Sequence, residues 1–308
     1  MAASKSVEVA VGNRKLKLSN LDKVLYPEAG FTKAQVIDYY TRIAPAVLPH
    51  LKDRPVTLKR YPNGVDDMFF FEKNCPKHRP DWFQTTPVWS GGNNRFMDFC
   101  KVNDLPSLVY LANLASIELH TSMSKGGDAM DNPTTMVFDF DPGPPATIVE
   151  CCQVAVWVRD LLREHGLECC PKTSGSKGLQ LYVPLNTAGV DYNGTKGFSR
   201  RVAELMTKQH EDLVVARMEK AVRPNKVFID WSQNDRMKTT VSVYSLRARA
   251  RPTVSTPVTW DEVEKCLEAG DPSLLVFEAG DVLERFDRHG DLFEPVAKLK
   301  QKLPKQLP

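Results

Sequence analysis

Thr135-Met-Val-Phe-Asp-Phe-Asp-Pro-Gly143 is the stretch on which the reading of this chain turns. Thr135 to Phe140 has the content of a buried strand, and Pro142-Gly143 ends it at once. Side chains alternate along a strand, so Asp139 and Asp141 share one face while Phe138 and Phe140 share the other. Carboxylates that close repel unless a cation lies between them, and oxygen donors suit Mg²⁺ or Mn²⁺. A lone D-x-D arises by chance about once in a chain of this length. Its place at a strand end, where sites tend to lie, gives this one weight.

The residues downstream build a frame for that pair. Ile148 to His165 has helical periodicity closed by Gly166. Leu167 to Lys172 and Leu179 to Pro184 read as strands around the turn Thr173-Ser-Gly-Ser-Lys-Gly178. Phe198 to about Met218 reads as a helix, and Lys226 to Trp231 as a strand. This β-α-β-β-α-β order is the split βαβ pattern of ferredoxin-like and RNA-recognition-motif folds. Its first and last strands are neighbours, so Asp230 can approach Asp139 and Asp141, and three carboxylates can hold two metal ions for phosphoryl transfer. Without that topology Asp230 reads as the cap of a turn through Ser232.

In the turn, Gly175 and Gly178 permit close backbone approach, Ser174 and Ser176 offer hydroxyls, and Lys177 adds charge. Such a turn can hold a triphosphate, although a plain Gly/Ser hairpin has the same composition. It is not the G-x-x-x-x-G-K-S/T of a P-loop ATPase. Alternation turns Gln180 to the cleft side, opposite Leu179 and Leu181. Val241 to Leu246 reads as a strand, and Arg247, Arg249 and Arg251 share a face if the chain stays extended. Thr259 with Glu262 caps a further helix. The tail Val296 to Pro308, with four lysines and two prolines, reads as frayed or as a linker.

Upstream, Val7 to Leu18 is strand-like. Thr32 and Gln35 form a capping box before a helix carrying Val36, Ile37, Tyr40, Ile43, Ala44 and Val47. Lys33 holds its first position, where free N–H groups favour a phosphate; a solvated lysine is the plainer reading. Pro55 to Pro62 is a strand with adjacent Lys59 and Arg60, and Phe69, Phe70 and Phe71 follow. Cations beside aromatic rings suit nucleic acid. Phe69 and Phe71 can instead alternate into a core, with at least one of the three rings facing away. Leu105 to Ala115 reads as a helix and Ile117 to Thr121 as a strand with His120 near its end.

Composition sets the bounds. The 308 residues are 42% hydrophobic, enough for one large domain or two lobes. A net charge of +3 excludes a histone-like polycation and leaves room for a local basic cleft. No run approaches a membrane span, and MAASKSVEVA lacks the apolar stretch of a secretory signal. Seven cysteines, an odd number with two adjacent pairs, do not resemble a disulfide framework and suit a reducing cytoplasm. Cys75-Pro-Lys-His78 lacks the second half of a zinc site.

The ordered motifs LDKVLYP, LKRYPNGVD-x-x-FFFEK, VFDFDPG, TSGSKGLQLYVPL, VFIDWSQN, KTT and YSLRAR closely resemble the polymerase domain of bacterial DNA ligase D and its archaeal relatives in the archaeo-eukaryotic primase superfamily. The match runs from about Leu18 to Glu284. The resemblance implies an α+β, two-lobed primase-polymerase fold over residues 1–295. Residues 1–133 would form an N-terminal α/β lobe that binds DNA ends, and residues 134–295 an RNA-recognition-motif-like (βαββαβ) catalytic lobe. It implies template-directed nucleotidyl transfer at DNA breaks, with two Mn²⁺ or Mg²⁺ ions, NTP or dNTP substrates and ribonucleotides preferred. The expected partners are DNA ends and gaps with a 5′-phosphate, Ku and a DNA ligase, in a nucleoid-associated cytoplasmic setting without membrane. By the same resemblance, Asp139, Asp141 and Asp230 hold metal and His120 lies in the catalytic pocket. Ser174, Lys177, Gln180, Gln233, Arg247, Lys59, Phe70 and Phe71 attend the nucleotide, and Lys23 and Lys33 the 5′-phosphate. Gln180 stands where the family pattern usually has histidine, so it lacks the charge that a protonated imidazole would bring to a triphosphate. A non-catalytic RNA-recognition-like binding module and a metal-dependent nuclease are the alternatives.

Overall fold

The computed structural model describes residues 6–304 and divides into two units. The first takes the chain up to Ser122 with segments Val241–Val254 and Glu278–Gly290, and the second takes the remainder. Reading along the chain places the boundary near residue 133 and leaves everything after it in one lobe. The chain instead returns to the first unit, where Ser242 N–H donates to the Leu119 carbonyl at 2.8 Å and Thr253 bridges Glu278. Residues 1–5 of the opening segment and 305–308 of the tail lie outside the described residues.

In the first unit the run expected over Val7 to Leu18 is a hairpin of β1 (Ser6–Val11) and β2 (Arg14–Ser19), broken at Gly12 with φ +56°. After the small pair β3 (Val24–Tyr26) and β4 (Phe31–Thr32), α1 (Lys33–Leu51) starts at the expected Thr32–Gln35 capping box. The sheet that follows contains β5 (Val56–Arg60), β6 (Phe70–Glu72), β7 (Thr85–Ser90), β8 (Arg95–Cys100) and, beyond α2 (Leu105–Asn113), β9 (Ser116–Thr121). Its order runs β9-β5-β8-β7, with β6 also paired to β5. The strand expected over Val241 to Leu246 is interrupted by a turn in which Tyr244 takes φ +63°. Cys75 and Cys100 are disulfide-bonded, although the cysteine pattern does not resemble a disulfide framework and suits a reducing cytoplasm. The cause is local: Cys75 N–H donates to the Asp98 carbonyl at 2.6 Å, laying its segment alongside β8.

The second unit is built around β10 (Thr135–Pro142), with α3 (Ile148–Glu164), β11 (Cys170–Thr173), β12 (Leu179–Pro184), α4 (Tyr192–Gln209), β13 (Val214–Val215) and β14 (Val227–Asp230). Strand order β11-β12-β10-β14 is the split βαβ arrangement, and β13 adds an edge parallel to β14. The helix expected to reach Met218 ends at Gln209, because Val214 and Val215 leave it to pair with β14. Phe138, Phe140, Leu179, Leu181 and Ile229 are buried in one core with residues of α3, α4 and the helix Trp260–Ala269. Each large apolar side chain so buried contributes roughly 1.5–3 kcal/mol. With that face sealed, the opposite face of the sheet carries the polar row. The tail is not frayed up to residue 304: the Gln301 amide donates to the carbonyls of Pro184 and Glu168 at 2.7 and 3.0 Å. Among the described residues no helix is long and apolar enough to cross a membrane.

Gly178 is fixed by this packing, since a Cβ there would lie 2.1 Å from the Phe140 carbonyl oxygen. Relieving that overlap means moving backbone on the strand that carries Asp139. Gly178→Ala is therefore expected to cost on the order of 3 kcal/mol and lower Tm by about 6–12 °C. Gly91→Ala, with nothing within 4 Å of the new methyl, should leave Tm nearly unchanged. Thermal denaturation followed by circular dichroism decides it, and an unshifted Gly178→Ala would contradict the packing.

Candidate active site

Four strands of the second unit present one transverse row. Asp139 on β10 is paired with Asp230 on β14 and with Gln180 on β12, and Gln180 is paired in turn with Lys172 on β11. Asp141 stands two residues farther along β10 on the same face, exposed. Burial pushes the Asp139 carboxyl up to about 7, and the neighbouring negative charges of Asp141 and Asp230 add to this. A hydrogen bond from Gln180 and the charge of Lys172 oppose it. Asp230 satisfies both readings offered for it. It lies opposite Asp139, and its Oδ1 also caps the following turn through Ser232 N–H at 2.9 Å and Ser232 Oγ at 2.5 Å. Gln233 is brought to the same carboxylate, its Nε2 donating to Oδ2 at 2.8 Å.

Among the described residues no three acidic, histidine or cysteine side chains converge as ligands of one ion. The donor set nevertheless fits a hard divalent cation: carboxylate oxygens of Asp139 and Asp141 share one face, and Asp230 is paired opposite Asp139. Asp139 and Asp141 carry that fit, while Asp230, engaged with Ser232 and Gln233, lends its charge from the paired position.

The triphosphate turn is organised by Ser174. Its Oγ accepts from the N–H groups of Ser176 at 3.2 Å and Gly178 at 3.1 Å, leaving Lys177 exposed at the tip. Gln180 does lie on the carboxylate face, as alternation requires. It is not open to a cleft, however: it is buried, with Oε1 accepting from Lys172 Nζ at 2.6 Å. The antiparallel register of β11 brings Lys172 opposite it, so the amide is used within the sheet.

In the first unit the predicted residues gather around one that was not predicted. Glu118, 3% exposed, accepts from His120 Nε2 at 2.9 Å and lies 3.4 Å from Arg247 Nε and 3.6 Å from Lys59 Nζ. Burial alone would raise its pKa, but the His120 hydrogen bond and the charges of Arg247, His120 and Lys59 hold it well below the usual carboxylate range. Burial lowers the pKa of His120, against the pull of Glu118. Lys59 Nζ sits over the rings of Phe69, Tyr61 and Phe71 at 4.3, 5.2 and 5.5 Å, and Arg60 over Phe70 at 5.1 Å. Phe69 and Phe71 do not enter a core: β6 is a three-residue strand, and all three phenylalanines are exposed. The arginines do not share a face, because Arg247 turns to Glu118 while Arg251 pairs with Glu278.

Lys33 is not solvated. It is buried, with Nζ donating to the Ser19 carbonyl at 2.6 Å, and Lys23 Nζ donates to the Pro62 carbonyl and to Asn63 Oδ1 at 2.5 and 2.7 Å. Burial lowers the Lys33 pKa to about 8, helped by the charges of Lys23 and Arg60.

Three further residues escaped the reading of the sequence. Glu118 shares a face with His120 at a spacing of two, a signal that alternation could have supplied. Lys172 needs the β11–β12 register to be connected with Asp139. Asn234, fully buried, exchanges two hydrogen bonds with the backbone of Val137, at 2.9 and 2.7 Å. Its side chain takes the place of the partner strand where β14 leaves β10.

The family description "LigD, primase-polymerase domain" matches residues 32–293. The chain is 42% identical over 283 residues to the multifunctional non-homologous end joining protein LigD of Mycolicibacterium smegmatis, covering 92% of this chain and 36% of that protein. It is 31% identical over 276 residues to the bifunctional non-homologous end joining protein LigD of Bacillus subtilis, covering 90% of this chain and 43% of that one. The chain thus spans well under half the length of these curated relatives. The solved polymerase domain from Mycobacterium tuberculosis ligase D in complex with DNA matches it with a TM-score of 0.85 and 39% identity, covering 93% of this chain and 99% of that one. With its α+β fold, its split βαβ sheet and its paired aspartates, the chain belongs to the LigD primase-polymerase domain family.

Proposed function

We propose that this chain acts as one primase-polymerase domain, a template-directed nucleotidyltransferase that fills gaps and extends DNA ends during end joining, with ribonucleotides preferred. The observation that carries the reading is the pairing of Asp139 with Asp230, with Asp141 on the same face of the same strand, in a sheet of this family. Bound Mn²⁺ or Mg²⁺ ions would acidify the primer 3′-hydroxyl and stabilise the departing pyrophosphate. Ser174 and Lys177 receive the triphosphate, and Gln233 steadies Asp230. Glu118 holds Lys59 and Arg247 for the nucleotide, with His120 beside them. Phe70 and Phe71, 41% and 58% exposed, stack on bases. Lys23 and Lys33 receive a 5′-phosphate. Ku and a DNA ligase are the protein partners of this role, and the nucleoid is its setting.

A non-catalytic module that stacks bases on its sheet is disfavoured because Phe138 and Phe140 are fully buried on the other face. A nuclease would use the same carboxylates. Labelled-primer assays with and without Mn²⁺ separate the readings: extension supports polymerisation, shortening supports the nuclease, and neither supports the binding module.

Metal binding should depend on pH through Asp139. Its carboxyl is pushed up to about 7 in the metal-free protein, and a divalent ion needs the carboxylate form. Protons therefore compete as pH falls: Mn²⁺ affinity should be level above about pH 7.5 and weaken by up to about tenfold per unit below about pH 6.5. Asp139→Asn should abolish extension, retain DNA binding and flatten this dependence. A titration followed by electron paramagnetic resonance measures it, and equal slopes in wild type and variant would contradict the assignment.

Gapped DNA with a 5′-phosphate should bind more tightly than the same DNA with a 5′-hydroxyl, and Lys23→Ala should reduce the preference. Lys33, with its pKa near 8, is protonated at pH 7 and loses its charge as pH rises through that value. The preference should therefore shrink between about pH 7 and 9 and at high salt. Equal affinities for the two ends at low salt and neutral pH would remove the phosphate role.

A further inference from the structure

Lys172 is a fully buried charged side chain, 0% exposed, on the β11 end of the polar row. A buried ammonium is costly unless its protons are accepted. Here Nζ donates to Gln180 Oε1 and to Ser255 Oγ, each at 2.6 Å, and lies 5.3 Å from the centre of the Tyr182 ring. Ser255 Oγ donates its own hydrogen bond to the Thr173 carbonyl at 2.9 Å, leaving its lone pairs to accept from the lysine. Gln180, 3% exposed, is the direct partner of Asp139 across the β10–β12 ladder, and its side chain acts to lower the Asp139 pKa as a hydrogen-bonding neighbour.

We infer that Lys172 is a positioning residue for the carboxylate site, acting through the Gln180 amide on Asp139. An ammonium can only donate, so the amide atom facing it must be the oxygen. The nitrogen is then forced to the other side, toward Asp139, and it too can only donate. The Asp139 oxygen it meets is thereby fixed as an acceptor, and the plane of the carboxylate is set by a chain that begins at a buried cation. Without the lysine, only Asp139 would select between the two amide orientations, one of which presents oxygen to oxygen; with it, both ends of the amide favour the same one. The row Lys172, Gln180, Asp139, Asp230 thus runs from a cation through an oriented dipole to the paired carboxylates. Groups that orient a metal ligand typically change metal affinity by about 10–100-fold when removed.

The inference rests on the reading of Asp139 as a metal ligand, and the test keeps the two apart. Mn²⁺ dissociation constants are measured by electron paramagnetic resonance for wild type, Gln180→Leu, Lys172→Met and the double variant, with Tm recorded for each. Gln180→Leu should weaken Mn²⁺ binding about tenfold in the wild-type background and less than about twofold in the Lys172→Met background, since an amide that is no longer oriented has little left to lose. The same factor in both backgrounds, or an effect of Gln180→Leu alone below about twofold, would overturn the relay. A residue that merely stabilises the fold would lower Tm without this loss of coupling. The second measurement needs no metal. The Gln180 side-chain amide signal in a ¹⁵N–¹H correlation spectrum, assigned by its loss in Gln180→Leu, should shift in folded Lys172→Met. An unmoved signal would overturn the relay; a shifted signal in a wild-type protein that binds no Mn²⁺ would uphold the relay and remove the metal reading.

Discussion

A single cross-strand pair, Asp139 against Asp230, is the constraint around which the second unit is organised. Like charges directly opposite one another in a sheet are destabilising. Burial does most to raise the proton affinity of Asp139, and the charges of Asp141 and Asp230 add to it. What holds the strands together is the reverse face, where Phe138, Phe140 and Ile229 are sealed under the helices. The same alternation that pushes the carboxylates together thus supplies the apolar burial that keeps them there. Where β14 turns away after Asp230, the Asn234 side chain continues the hydrogen bonding of β10, so the pair lies at a rim without leaving the Val137 backbone unsatisfied.

The first unit solves the opposite electrostatic problem. Glu118 gathers Lys59 and Arg247, with His120 hydrogen-bonded to it. One carboxylate between two cations leaves a net positive group even when the histidine is neutral, and such a group attracts phosphates. Exposed phenylalanine rings lie beside the cations because Lys59 and Arg60 alternate on β5 and each covers a different part of the aromatic segment. Lys33 follows a related rule: buried against the neutral Ser19 carbonyl and near two other cations, it is charged at a cost that an incoming anion would relieve.

Positioning in the second unit rests on hydrogen bonds and close approaches within the sheet and its turn. Ser174 spends its hydroxyl on the backbone of its own turn, Gly178 yields room to the Phe140 carbonyl, and Gln180 turns inward between Lys172 and Asp139. Glutamine and neutral histidine share the capacity to donate at one end and accept at the other. The placement of Gln180 between Lys172 and Asp139 uses that capacity and not the charge an imidazole could carry.

The sequence by itself determined the split βαβ order, the capping boxes at Thr32 and Thr259, and the common face of Asp139 and Asp141. These follow from periods of 2 and 3.6 residues and from caps, all of which are local. The motif order likewise sufficed for the family. Only the tertiary structure decided that residues 241–254 and 278–290 belong with the first unit, that Cys75 meets Cys100, and that Lys172 and Glu118 are buried charges. Each of these depends on which strand lies beside which and in what register. Alternation says which face a side chain takes but not what stands opposite it. For Gln180 that difference separates a residue turned toward a cleft from one held between a lysine and an aspartate.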